Sequence, residues 1–388
     1  MRPLDGVLVV SLEQAVAVPY ATRLLADLGA RVIKVERPGG GDFARHYDST
    51  CGSVSSYFAW TNVGKESLTL DLKHPAARDV VDRLVAAADV VLCNLSPDAA
   101  RRLNVDADSL RQVKPDLVVG DLSGYGESGP YASRKAFDAL VQSEVGLIDL
   151  TGDGDVTARA GISVADIAAG VQLQSAVLAA LLRRARTGEG ATLRLSLFDA
   201  MAEWMHQPML YAAGAGRAAP RTGAHHPSIA PYGPFTCADG TVHLAVQNEP
   251  QWRRLCGLLG RPELADDPRF TTVSSRVAHR AALHAELDFT AWTAADLVEA
   301  LDRADVPAAR TRTVADLPEH PQLTTRARQA SVAVPGGEVT VLRPPVDSSG
   351  WEWVPGSVPA LGEHTEHVLR GLGYTAEQVA ALRARSAV

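Results

Sequence analysis

The sequence predicts an α/β protein, a doubly wound and mostly parallel sheet in a large domain accompanied by a smaller α+β domain. Three observations carry this reading. Short, continuously apolar runs alternate with helix-like stretches over the first 125 residues, the pattern of strands buried on both faces and joined by crossover helices. After residue 160 the texture changes to long helical stretches, and a Gly-, Pro- and Ala-rich segment at 214–227 interrupts the chain. At 388 residues the chain is also long enough for two or three domains.

The elements follow in order. Residues 6–12 (GVLVVSL) read as a buried strand, and 19–28 as a helix with Pro19 in its first turn and Gly29 just past its end. Strands are expected at 31–36, 67–72, 88–93 and 117–122. A helix is expected at 75–87, with Val80, Val81, Leu84 and Val85 on one face. Beyond the change of texture come a helix at 164–186, a strand at 192–197 and a helix at 198–213. A hairpin flanking Asp239-Gly240 and helices near 251–259, 276–287 and 294–304 fill the small domain. Thr375 and Gln378 form a capping box that opens a last helix at 375–386. The domain reading is therefore 1–213 for the first part of the large domain, 225–325 for the small domain and 336–388 for a return to the large one.

Composition narrows the function. With 46% hydrophobic and 21% charged residues the chain is neither fibrous nor disordered. Its 38 basic residues against 45 acidic ones give a net charge of −7 with no basic block, so no nucleic-acid partner is expected. No apolar run is read as approaching the ~18 residues of a membrane span, and the start lacks a basic segment leading into an apolar one. No membrane association and no export are expected. Cys51, Cys93, Cys237 and Cys256 show no CxxC spacing, which points to free thiols in a reducing, cytoplasmic compartment.

Several motifs invite chemistry. Gly124-Tyr125-Gly126-Glu127-Ser128-Gly129 matches GxGxxG, but Pro130 follows at once and the match comes after the last strand of the series. A dinucleotide fingerprint opens a helix after the first strand, so a loop offering backbone N–H groups is the better reading, with a nicotinamide oxidoreductase as the competing one. Gly39-Gly40-Gly41-Asp42 is a flexible turn or a phosphate cradle. The pairs His225-His226 and His364 with His367 have no supporting ligand set, so no metal site is expected. Asp138 and Asp166 both read, on pattern alone, as acids at helix starts.

The run from Pro19 to Asp42, PYATRLLADLGARVIKVERPGGGD, resembles the opening of the class III CoA-transferases, the family of formyl-CoA and carnitine CoA-transferases. Further similarity lies at Asn62-Val63-Gly64-Lys65, Leu70-Asp71-Leu72-Lys73, Gly129-Pro130-Tyr131, Ala136-Phe137-Asp138, Ser196-Leu197-Phe198-Asp199-Ala200, Asp267-Pro268-Arg269-Phe270 and Leu361-Gly362-Glu363-His364. The resemblance implies a Rossmann-like large domain, an interlocked homodimer, and CoA thioesters with small carboxylic acids as substrates and no tightly bound cofactor. It places Gln14, Ala15, Val16, Arg37, Leu72, Lys73, Asn94, Arg102 and Lys135 at the coenzyme, and assigns catalysis to Asp138 as the carboxylate that carries acyl and then CoA. Asn94-Leu95-Ser96-Pro97 replaces the family's usual Asn-Phe-Arg-Pro, and the four-glycine run of formyl-CoA transferases is missing near Ala230-Pro231-Tyr232-Gly233.

Related α-methylacyl-CoA racemases resemble the chain at Asp166 and Glu249, but they need a His where Phe137 stands, which makes racemisation the alternative function. A non-enzymatic acyl-CoA-binding protein is a third. The stretches 41–47, 160–167 and 226–233 look most like the mesaconate and itaconate branch, which implies transfer from succinyl-CoA to a C4–C5 dicarboxylate such as itaconate, mesaconate or citramalate. A second carboxylate needs a partner, for which Arg45, Tyr47, Arg221, His225 and His226 are the candidates.

Overall fold

In the computed structural model, which describes residues 1–388, the chain divides into two compact units. The first comprises Met1–Gly146, Ala160–His206 and Thr325–Val388, the second Leu147–Arg159 and Gln207–Thr324. The boundary thus falls at 206/207, within the span expected to be a single helix, which breaks at Met205 into Leu197–Trp204 and His206–Ala215. The strip Leu147–Arg159 also belongs to the second unit, where its two-residue hairpin reaches Thr222 through a bridge from Asp153.

The first unit is built on six parallel strands: β1 (Leu8–Leu12), β2 (Arg31–Glu36), β3 (Lys65–Thr69), β4 (Val90–Cys93), β5 (Val118–Ser123) and β6 (Ala191–Ser196). Their order is β3-β2-β1-β4-β5-β6, with Val9 of β1 paired to Val32 on one side and Val90 on the other. The succession reverses direction between β1 and β4, which opens a crevice beyond their carboxyl ends. Val9, Val10, Val32, Ile33, Val90, Val91, Val118 and Val119 are all buried, as strands covered on both faces require.

Helix α1 (Ala17–Asp27) starts two residues earlier than expected. Helix α2 (Ala77–Ala87) lays Val80, Val81, Leu84 and Val85 on the sheet beside Val368, Leu369, Val379 and Leu382 from the returning carboxyl-terminal helices. Each such side chain contributes roughly 1.5–3 kcal/mol relative to exposure. The return also covers the sheet edge: His364 N–H donates to the Ser67 carbonyl at 3.0 Å, and Thr69 N–H to Thr365 Oγ1 at 3.0 Å.

Helix α3 (Asp138–Glu144) is short, whereas α4 (Val164–Thr187) has 24 residues. By length and apolar composition α4 would suffice to cross a membrane, contrary to the sequence expectation; one face of it, with Ala165, Ala168, Ala169, Leu173 and Val177, is buried in the first unit. It crosses α1 closely at Gly170, where a Cβ would stand 2.8 Å from the Ala17 carbonyl oxygen and 3.0 Å from the Tyr20 ring.

The second unit carries a three-stranded antiparallel sheet, Tyr232–Cys237, Gly240–Ala245 and Ala308–Arg310, packed on a core around Trp252, Phe270, Phe289 and Leu297. The helix expected at 276–287 breaks at His279 into Val273–Ala278 and Arg280–Glu286. Arg276 is fully buried and donates to the carbonyls of Ala230 at 2.7 Å and Phe270 at 2.9 Å.

Candidate active site

The segments that follow β1 and β4 are joined by a reciprocal pair. Gln14 N–H donates to Asn94 Oδ1 at 3.0 Å, and Asn94 Nδ2 donates back to the Gln14 carbonyl at 2.8 Å. One Asn94 N–H and one Oδ1 lone pair thus hold the main chain of the turn at 14–16, and the second of each stays free for the coenzyme role that the resemblance implies. Ala15 has φ +64°, and buried Val16 leads into α1. Arg37 follows β2 and Leu72 and Lys73 follow β3, so these three lie beyond the carboxyl ends of their strands, while Arg102 ends the helix after β4. Arg37, Lys73, Arg102 and Lys135 are exposed and form no ion pair, while Leu72 packs at the margin of the core. Unpaired cations such as Arg37 and Lys73 beyond the carboxyl ends of the strands suit an anionic ligand.

Two cavities border the first unit's surface. One of about 500 Å³ lies beyond β5 and β6, with Leu95, Pro97, Asp121, Ser123, Gly126 and Arg194 in its wall. Burial and the neighbouring Glu127 push the Asp121 carboxyl up to about 6. The larger, about 890 Å³, runs past Tyr20, Val171 and Trp353 and includes neither Asp138 nor Asp166. The loop at 124–129 opens no helix. Gly126 and Gly129 take φ near +89° and +88°, and Gly126 N–H donates to Ser123 Oγ at 2.9 Å.

The two aspartates differ in what surrounds them. Asp138 opens α3, and its Oδ1 accepts from the N–H groups of Ala165 at 2.8 Å and Asp166 at 3.3 Å. Its Oδ2 accepts from Gln142 Nε2 at 2.6 Å, and Gln142, fully buried, is itself held by Ala160 N–H at 2.9 Å. Ser163 precedes α4 without capping it, so Asp138 satisfies the free amides of the first turn from outside. Asp166, in that same first turn, is partly buried and accepts no hydrogen bond. Burial first, and then the charge of Asp138, push its carboxyl up to about 7.

A carboxylate without donors or a full water shell is the more nucleophilic of the two, and one held by three donors is the less. Asp138, to which the resemblance assigns catalysis, is thus the acid held by three donors, and Asp166 is the acid without them. Sequence pattern had given both the same helix-start reading. What it lacked was the long-range contact by which one acid caps the other's helix.

Tyr47 is half-exposed and sets its ring edge-on to Tyr57 at 5.4 Å. Burial and the charges of Asp42 and Asp166 push its hydroxyl up to about 12, so near neutral pH it is a proton-bearing donor close to Asp166. Arg45 cannot meet a substrate carboxylate. It is buried, its Nε and Nη2 donate to Glu36 at 2.9 and 2.7 Å, its Nη1 donates to the Pro359 carbonyl, and it lies over the Phe58 ring.

His225 and His226 belong to the second unit. The His225 ring stands 4.7 Å from that of His284, and burial with Arg280 nearby holds its pKa below the usual range. His226 stacks on Tyr232, and its Nδ1 accepts from Ser228 N–H at 3.1 Å. Arg221 donates to Asp149 and to the Gly154 carbonyl.

A parallel sheet with exposed cations beyond its carboxyl edge and an unpaired, desolvated carboxylate at a helix start suits an enzyme that handles anionic acyl carriers. The chain belongs to CoA-transferase family III, which it matches over residues 4–365, and it is a class III CoA-transferase that uses CoA thioesters as substrates. It is 36% identical over 382 residues to a succinate–glutarate CoA-transferase of Agrobacterium fabrum, covering 95% of this chain and 96% of that one. It is 33% identical over 387 residues to a succinyl-CoA:mesaconate CoA-transferase of Haloarcula hispanica, covering 96% and 97%. Among solved structures, a CaiB/BaiF family protein from Brucella suis superimposes with a TM-score of 0.87 at 37% identity over 96% of this chain and 99% of that one.

Proposed function

We propose that the protein moves CoA from succinyl-CoA to a C4–C5 dicarboxylate, such as mesaconate, itaconate, citramalate or glutarate, by way of a thioester on Asp166. The observation that carries this reading is the Asp166 carboxylate, unpaired and pushed up to about 7 at the start of α4. The relatives' names support the substrate class.

In the first step an Asp166 oxygen bonds to the thioester carbonyl carbon, the C–S bond breaks and CoA thiolate leaves, which gives a mixed anhydride. The thiolate then attacks the Asp166 carbonyl carbon, the C–O bond to succinate breaks, and succinate departs as its carboxylate. The acceptor carboxylate reverses both steps. Each addition places negative charge on a carbonyl oxygen, toward which the Tyr47 hydroxyl and backbone N–H groups are available donors. Four free cysteines accord with a reducing, cytoplasmic setting, and an interlocked homodimer belongs to the same reading.

The test is to treat the protein with succinyl-CoA and then hydroxylamine and to map hydroxamate by peptide mass spectrometry. Hydroxamate is expected on Asp166, and Asp166→Ala is expected to lose CoA exchange by at least a thousandfold. Hydroxamate on Asp138, or full exchange in Asp166→Ala, would overturn the assignment.

A further inference from the structure

Glu13, Lys34, Asp42 and Lys65 have side chains with no exposure at all, and they form one chain of charge. Lys65 Nζ donates to Glu13 Oε1 at 2.7 Å, while Lys34 Nζ reaches the same oxygen at 3.3 Å and Asp42 Oδ2 at 2.8 Å. Removing four charges from water is costly, and apolar side chains of equal volume often stabilise a fold as well or better. A network of this kind is therefore weak evidence of stability and better evidence that a geometry is being held.

What it holds lies at its end. Asp42 Oδ1 accepts from Ala15 N–H at 3.1 Å and from Ala44 N–H at 2.9 Å. Ala15 is left-handed, a conformation that disfavours any residue with a Cβ by roughly 1–2 kcal/mol. Ala44 belongs to the short helical turn Phe43–His46, which Asp42 caps and which Tyr47 follows. Ala17, two residues after Ala15, abuts Gly170, one helical turn beyond Asp166, and the Asp166 charge acts on Tyr47. A single carboxylate oxygen thus fastens the turn after β1 and the turn bearing Tyr47, both of which adjoin the start of α4.

We infer that Asp42 is a positioning residue of the transferase, setting the left-handed turn at Ala15 and the placement of Tyr47 through one shared oxygen. This rests on the reading of Asp166 as the acyl carrier. Loss of that oxygen lets Ala15 relax to negative φ, which displaces the turn at 14–16 while the exposed cations at the coenzyme edge stay where they are.

The test uses the full-length protein with succinyl-CoA and mesaconate. Asp42→Ala is combined with Lys34→Met so that no buried charge is left alone. This double variant is expected to lose kcat by at least thirtyfold with KM for succinyl-CoA within threefold of the parent. Adding Ala15→Gly, which tolerates positive φ freely, is expected to restore kcat at least fivefold. Ala15→Pro alone, which fixes φ near −65° and removes the N–H, is expected to show the same kcat loss in an otherwise intact network. Unchanged kcat in Ala15→Pro, or no recovery on adding glycine, overturns the inference while the transferase reading stands. No exchange by the parent protein overturns that reading and this inference together.

Discussion

In the proposed mechanism Asp166 draws its reactivity from the partners it lacks. Its carboxyl is pushed up to about 7, so the nucleophilic carboxylate form is lost as pH falls through that value. The expected kcat/KM for succinyl-CoA is level above about 7 and declines tenfold per pH unit below it, which a steady-state pH series would show. The same shift carries a cost for the fold. The folded-state pKa lies above the ordinary carboxylate value, so the native state holds a proton that the unfolded chain has released between about 4 and 7, and stability contributed by Asp166 declines across that window. Asp166→Asn is accordingly expected to raise Tm, with the gap to the parent growing from pH 4 to 7 and constant above. A constant gap across the series, or a pH-independent kcat/KM, would count against a desolvated carboxylate. Residue-level legibility was uneven for a related reason. Arg45 reads as available in sequence because its partners Glu36 and Pro359 are fixed by the fold, and the pattern gives Asp138 and Asp166 the same helix-start reading because two of the donors that separate them lie 27 and 28 positions from Asp138.

Among the elements, α4 does the most to define the site, because its first turn holds Asp166 and its second crosses α1. Its boundaries were legible from apolar content and from Gly188 at its end, which takes the left-handed C-terminal position. The role of Gly170 was not legible, since a glycine inside a helix pattern carries no sign of what passes nearby. Gly170→Ala would gain roughly 1 kcal/mol of helix propensity but would set a Cβ 2.8 Å from the Ala17 carbonyl oxygen, and backbone cannot yield as a flexible side chain does. The helices must separate, at a cost of about 1–3 kcal/mol. The variant is expected to unfold at lower denaturant concentration and to lose kcat more than it raises KM, because the shift reaches Ala15 and Asp166 together. Unfolding and steady-state kinetics check both, and a more stable, fully active variant would show that the crossing tolerates a methyl group.

At the scale of the molecule, strand and helix alternation was legible through residue 123, because parallel strands buried on both faces write uninterrupted Val and Leu runs into the sequence. The composition of the units was less so: the hairpin within Leu147–Arg159 belongs with Thr222 through contacts some 70 positions apart, which no local pattern encodes. The alternative chemistry, racemisation at an α-carbon, is decided at this scale as well. It needs two groups that move protons from opposite faces of that carbon. The first unit offers Asp166, but Phe137 occupies the position where a His would serve, and Asp138 is bound by three donors. In deuterium oxide, a 2-methylacyl-CoA is therefore expected to take up α-deuterium at least a hundredfold more slowly than CoA exchanges between succinyl-CoA and mesaconate, both followed by mass spectrometry on one enzyme sample. Label entering at the exchange rate would mean that a second proton-moving group reaches the α-carbon, and the carboxylate at Asp166 would then be an acid–base catalyst instead of an acyl carrier.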